Sequence, residues 1–131
     1  MEVIATAKNI RISPQKVRLV VAQVKKMSPN NAIEILEYVP QKAGKPLKKA
    51  IASAVANAKN NFDLDAASLT FSEINVGKGI AFKRYRPVSR GRGHSILRQT
   101  SNIRIVLKGE KNKKQEIKQI MTDQNNKEKE K

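Results

Sequence analysis

The spacing of apolar positions changes along this chain, and each change marks an element. Val3-Ile4-Ala5-Thr6-Ala7 is β-branched and alanine-bearing, and predicts a short strand. At Ser13-Pro14 the spacing turns helical. Serine suits the capping position and proline the first turn, and Val17, Val20, Val21 and Val24 follow at three- and four-residue steps. Ser28-Pro29 repeats the signal and opens a shorter helix with Ile33, Leu36 and Val39 on one face, closed by Pro40. A third, longer helix carries Leu47, Ala50, Ile51, Ala54, Val55 and Ala58. Its alternate alanines keep it slim, and Asn60-Asn61 is expected to end it. These stripes predict a core, not a ligand pocket.

From Leu69 the period falls to two. Leu69 and Phe71 alternate, then Ile74, Val76, Ile80 and Phe82 continue in the opposite phase, which predicts a bulge near Ser72-Glu73. A second β-branched run spans Ile96 to Leu107. Between the two runs lies a segment dense in turn formers, with its tip near Ser89 to Gly93. The expected result is a long antiparallel hairpin, one arm of which, if straight, reaches about 60 Å from Phe71 to Ser89. Three helices cannot cover that length, and a bare two-stranded ribbon is marginal in water. Its outer half therefore calls for a partner. The fold class is α+β: three helices packed on a small antiparallel sheet, with a protruding β-hairpin at about 79–104. Residues 1–109 form the domain. Residues 110–131 are expected to be a flexible charged tail, in which Ile117, Ile120 and Met121 could make one or two amphipathic turns.

Charge identifies the partner. Among 131 residues, 27 Lys and Arg face 11 Asp and Glu, a formal net charge of +16. Such a chain repels itself until a polyanion neutralises it, with nucleic acid the first candidate and an anionic membrane the second. The placement of charge matters more than its sum. Between Glu73 and Glu110 no acidic residue occurs, while Lys78, Lys83, Arg84, Arg86, Arg90, Arg92, Arg98, Arg104 and Lys108 all fall there. An ordinary solvated surface intersperses both signs. A ribbon with only positive charge fits a sheath of phosphates, and the arginine fork suits them well. Phe82 reads as packing at the hairpin root, while Tyr85 stays a candidate for stacking on an unpaired base. Turn geometry and close approach to RNA explain Gly91 and Gly93 equally well. A second basic group, Lys8, Arg11, Lys16, Arg18, Lys25 and Lys26, surrounds the first helix, where phosphate contact and simple solvation compete. Lys42, Lys45, Lys48 and Lys49 read as solvated surface.

The chemistry of an enzyme is missing from the sequence. There is no Cys, the single His94 has no carboxylate near it in sequence, and Asp63 and Asp65 look like turn residues. No glycine loop matches a nucleotide-binding pattern. No catalytic residue, cofactor or metal is expected. No apolar stretch is long enough to span a membrane, and the N-terminus shows no secretory signal or transit peptide.

Three segments, in order, resemble one family. Arg11-Ile12-Ser13-Pro14-Gln15-Lys16-Val17-Arg18-Leu19-Val20 resembles the opening of the large-subunit ribosomal protein L-twenty-two family, in its bacterial type. Ser53-Ala54-Val55-Ala56-Asn57-Ala58 resembles its long helix. Lys83-Arg84-Tyr85-Arg86-Pro87, Gly91-Arg92 and Thr100-Ser101-Asn102-Ile103 resemble its hairpin. The resemblance implies a structural constituent of the cytoplasmic ribosome that binds large-subunit ribosomal RNA, supports subunit assembly and is not an enzyme. It implies RNA contacts at Arg11, Lys16, Arg18, Lys83, Arg84, Arg86, Arg90, Arg92 and Arg98. It further implies a hairpin tip, Val88, Ser89, Arg90, Gly91, Arg92 and Gly93, that lines the nascent-peptide exit tunnel, with neighbouring ribosomal proteins and the nascent peptide as further partners. Val88 departs from the family's usual basic residue, and the tail after Gly109 extends past its usual end. The rival reading is an architectural DNA-binding protein with a β-ribbon arm. Its wedge would have to be Pro87-Val88.

Overall fold

The computed structural model describes residues 1–111. The tail expected beyond them, including Ile117, Ile120 and Met121, lies outside the described residues. In chain order the elements are β1 (Glu2–Ile10), α1 (Pro14–Val24), α2 (Pro29–Tyr38), α3 (Gly44–Phe62), β2 (Thr70–Pro87) and β3 (Gly93–Lys108). The sheet is antiparallel in the order β1-β3-β2, so the last strand is central and pairs with both others. The α+β architecture expected from the sequence is the one observed.

The helices form where the local signals place them, with two differences. Ser28 caps α2 as expected, accepting a long hydrogen bond from the Asn31 N–H at 3.5 Å. Ser13 makes no side-chain cap; its backbone carbonyl instead accepts from Lys16 and Val17 N–H. Helix α3 starts at Gly44, one turn before its apolar stripe, and holds Pro46 in its first turn, where a missing N–H breaks no helical bond. It also runs past Asn60-Asn61 to Phe62 and ends on Asp63, whose left-handed conformation (φ 51°) stops the helix. Asparagine only lowers helix propensity by a fraction of a kcal/mol, and packing overrides it. Asp65 accepts from Ala67 N–H through Oδ1, the turn role read from the sequence.

One face of the sheet carries the core. Val3 and Ala5 of β1, Val76 of β2 and Ile103, Ile105 and Leu107 of β3 meet Val17, Val20, Val21 and Val24 of α1, Leu36 of α2 and Leu47, Ile51, Ala54 and Ala58 of α3. Ala50, Ala54 and Ala58 are short enough for α3 to lie directly on β1 and β3. Each fully buried Leu or Ile contributes roughly 1.5–3 kcal/mol. The ends of the domain are tied together: the Met1 amino group donates to the Gly109 carbonyl at 3.1 Å, and Gly109 N–H donates back to the Met1 carbonyl at 3.2 Å.

Three register shifts shape the sheet. The first, between Phe71 and Glu73, is the bulge that the phase slip predicts. The other two flank the same stretch of β3. One sits in β1 between Ala7 and Ile10, where Asn9 adopts φ 57° and its N–H donates to Asn102 Oδ1 at 2.9 Å. The other sits in β2 between Lys78 and Ala81, where Thr100 Oγ1 donates to the Ile80 carbonyl at 2.6 Å. This last shift leaves Ile80 exposed, against the inward phase that its spacing predicts. It is also why position 79 is glycine: a β-carbon there would meet Thr100 Oγ1 and crowd Asn102 and Asn9. Bulges bend and twist a strand. Here β1 ends, and β2 and β3 continue without it as a two-stranded ribbon about 30 Å long from Gly79 to the tip.

Candidate nucleic-acid interface

Beyond the bulges, Ala81–Gln99 pairs with itself alone, in register from Ala81 and Gln99 to Pro87 and Gly93. Strand periodicity sorts its side chains onto two faces. Phe82, Arg84 and Arg86 share one face with their cross-strand partners Arg98, Ile96 and His94. Lys83, Tyr85 and Pro87 share the other with Leu97, Ser95 and Gly93. Most of the arginine of the ribbon is thus on a single side, and all of its cations are exposed.

The tip is a tight loop. Val88 N–H donates to the Arg92 carbonyl at 2.9 Å, and Arg92 N–H donates to the Ser89 carbonyl at 3.4 Å, closing a turn over Arg90 and Gly91. Arg90 and Gly91 both take left-handed backbone, φ 60° and 64°. Glycine adopts it readily, but arginine does so against a preference of about 1–2 kcal/mol. The loop turns both Arg90 and Arg92 into solvent.

At the ribbon's root, two separate basic groups from the sequence come together. Arg11, Ser13 and Lys16 form one wall of a groove of about 570 Å³. Phe82, Arg84, Leu97, Arg98, Gln99 and Thr100 form the other, and Lys42 reaches in from the α2–α3 connection. Among the described residues, five cations and no carboxylate line it. Arg11 and Arg84 each hold a guanidinium over the Phe82 ring, both 5.5 Å from its centroid, within the range of cation–π attraction. Phe82 is half-buried here, beyond the bulge, and not part of the core at the root as its sequence context implies.

Not every residue expected to contact RNA joins this surface. Arg18 is outside the groove; its Nη2 donates to the Val76 carbonyl at 2.8 Å and ties α1 to β2. Lys83 points from the opposite ribbon face. Conversely, Lys42, Gln99 and Thr100 belong to the groove although nothing local marks them. Lys42 sits among lysines that look solvated, and only the long-range approach of the α2–α3 connection to the ribbon singles it out.

Electrostatically the surface is unbalanced. The ion pairs found among the described residues, Lys48–Glu37 at 3.3 Å and Lys108–Glu2 at 3.1 Å, both lie off the projecting ribbon. Among the described residues, no cluster of three or more His, Asp or Glu is placed to hold a metal ion, and no helix is long and apolar enough to cross a membrane. Among the described residues, no carboxylate pairs with a guanidinium group of the ribbon or the groove.

Comparison with known proteins agrees with this geometry. The sequence pattern of the family described as Ribosomal protein L22p/L17e matches residues 5–108, which is the sheet, the helices and the whole ribbon. The chain is 47% identical over 103 residues to large ribosomal subunit protein uL22c of Marchantia polymorpha, covering 79% of this chain and 87% of that one. It is 44% identical over 108 residues to large ribosomal subunit protein uL22 of Clostridium beijerinckii, covering 82% and 97%. A uL22 of Clostridium perfringens matches to the same extent. With its α+β domain, its acid-free ribbon and a match across nearly all of the described residues, the chain belongs to the ribosomal protein L22p/L17e family, the family of uL22.

Proposed function

We propose that this chain is a structural constituent of the large ribosomal subunit, holding large-subunit ribosomal RNA through its ribbon and the groove at the ribbon's root. The observation that carries the reading is the ribbon itself: about 30 Å of two-stranded sheet, with no third strand among the described residues, with Lys83, Arg84, Arg86, Arg90, Arg92 and Arg98 exposed and no acidic residue between Glu73 and Glu110. A protein surface gains nothing from such a charge unless phosphates surround it. Membership of a ribosomal family names the polyanion, and the family is one of structural components, not of enzymes.

In this reading Arg84, Arg86 and Arg98 contact RNA from one face of the ribbon and Lys83 from the other. Arg11 and Lys16 contact it from the domain. Arg18 contributes mainly by bracing α1 against β2. The tip, Val88 to Gly93, lies deepest in the RNA and lines the path of the nascent peptide, with neighbouring ribosomal proteins around the helical domain. Residues 1–109 act as the RNA-binding unit, and the protein works in the cytoplasm as part of the ribosome.

Crosslinking the protein to RNA in its native cell, followed by sequencing of the attached fragments, tests this. Crosslinks concentrated in several separate regions of large-subunit ribosomal RNA are expected, with the ribbon arginines in the attached peptides. Crosslinks spread over messenger RNAs, or a preference for DNA, would overturn it.

A further inference from the structure

The groove at the ribbon's root has a composition that general RNA binding does not require. Five cations, Arg11, Lys16, Lys42, Arg84 and Arg98, converge on about 570 Å³ from three parts of the chain. Two of them crowd one aromatic ring. Like charges brought this close repel, and among the described residues no carboxylate lines the groove to compensate them. The Phe82 ring offsets part of this repulsion, because its negative π face attracts both guanidinium groups. It also restricts their rotamers before any ligand arrives, and for Arg84 it does so together with the hydrogen bond that Nη1 donates to the Lys83 carbonyl at 2.9 Å.

We propose that this groove seats the backbone of one RNA strand, and that Phe82 is the positioning residue that holds Arg11 and Arg84 ready for its phosphates. The inference rests on the ribosomal RNA reading above and deepens it. An exposed aromatic ring in an RNA-binding protein usually offers its face to a base. Here guanidinium groups already lie over the ring, so its service is to the arginines. The volume, within the roughly 300–1,000 Å³ of small-ligand sites, suits a short stretch of single-strand backbone. Cations on both walls let a strand lying between them offer phosphates to each. Arg11 belongs to the domain and Arg84 to the ribbon. A strand bound between them therefore ties the ribbon to the domain next to the bulges of Asn9 and Gly79.

The test is binding of the purified full-length protein to a transcript of the large-subunit ribosomal RNA from its own cell, measured across a range of KCl concentrations. The variants are Phe82→Leu, Phe82→Tyr, Arg11→Gln and Arg84→Gln, and each arginine change combined with Phe82→Leu. Phe82→Tyr should bind within about twofold of the parent. Arg11→Gln and Arg84→Gln should each weaken binding about tenfold and lower the salt slope by ~0.7–0.9. Phe82→Leu should weaken binding about fivefold and lower the salt slope although no charge has been removed. In its background the arginine changes should have at most about a third of their effect. Phe82→Met, closer in volume, should repeat the result if the leucine variant folds poorly by circular dichroism. Additive effects with an unchanged salt slope would overturn the proposal and make the ring a stacking surface. No effect of Phe82→Leu would overturn it too. If the parent shows no preference for this RNA over unrelated RNA, the ribosomal reading itself fails, which is a separate outcome.

Discussion

The ring of Tyr85 lies against the backbone of Gly93, in the space that a β-carbon at position 93 would occupy. The two residues are diagonal neighbours on one face of the ribbon, since Tyr85 pairs with Ser95 and Gly93 with Pro87. The glycine is therefore explained by close approach, while the turn itself draws its left-handed residues from Arg90 and Gly91. Tyr85 also supplies apolar cover to a ribbon that has little. Gly93→Ala should displace the ring and loosen the last pairs before the tip. Amide exchange at Tyr85 and Ser95 should quicken about tenfold, equivalent to ~1.4 kcal/mol of local stability. In a Tyr85→Ala background the same change should have little further effect.

Two glycines in β2 make opposite predictions. A β-carbon at Gly79 would strike Thr100 Oγ1, whose hydrogen bond to the Ile80 carbonyl would have to break. Gly79→Ala should destabilise the protein by about 1–3 kcal/mol in urea denaturation. A β-carbon at Gly77 meets nothing within 4 Å. Gly77→Ala should stay within about 0.5 kcal/mol of the parent, or gain slightly from the stiffer unfolded chain.

Arg18 separates bracing from RNA contact. Its hydrogen bond to the Val76 carbonyl joins α1 to the sheet. Arg18→Met keeps the apolar stem and removes the bond. A loss of about 1 kcal/mol is expected, seen as a melting temperature lower by about 4 °C. The salt slope of RNA binding should fall by less than half of what a ribbon arginine gives. A full-sized fall in slope with unchanged stability would show that Arg18 is primarily an RNA contact.

The ribbon cations should act as counted charges. Arg86→Gln and Arg92→Gln are each expected to lower the slope of log affinity against log salt by ~0.7–0.9, and together by about twice that. Lys48→Gln removes a charge that pairs with Glu37 away from the ribbon, and should leave the slope unchanged. Equal slopes for all three variants would mean that binding senses total charge and not the ribbon.

Much of the fold was legible because its signals are local. Ser13-Pro14 and Ser28-Pro29 place two helix starts, and the phase slip after Phe71 locates a bulge to the residue. The ribbon and its cations are equally plain, because no acidic residue interrupts them. What escaped depends on contacts across the chain. The shift at Gly79 arises from β1 and β3, through Asn9, Thr100 and Asn102, and so Ile80 turns outward without any local sign. Helix α3 begins before its apolar stripe because Gly44 packs tightly on Leu36 and Val39, where a β-carbon would be 3.3–3.4 Å from them. The groove was half legible: Arg11, Lys16, Arg84 and Arg98 stood out as cations, but Lys42 and the role of Phe82 appear only when the α2–α3 connection and the ribbon meet.

The pairing of the first strand with the last sets a timetable for the newborn chain. Ile10 cannot meet Ser101 until the ribosome making this protein has supplied both, a delay of roughly 5–18 seconds at 5–20 residues per second. Through that interval β1 has no strand partner on either edge and the helices lack the sheet side of their core. The basic ribbon meanwhile leaves the ribosome before the domain that will anchor it has closed. The chain is most prone to aggregation before β3 is complete, and a product truncated ahead of Thr100 has no central strand around which to fold.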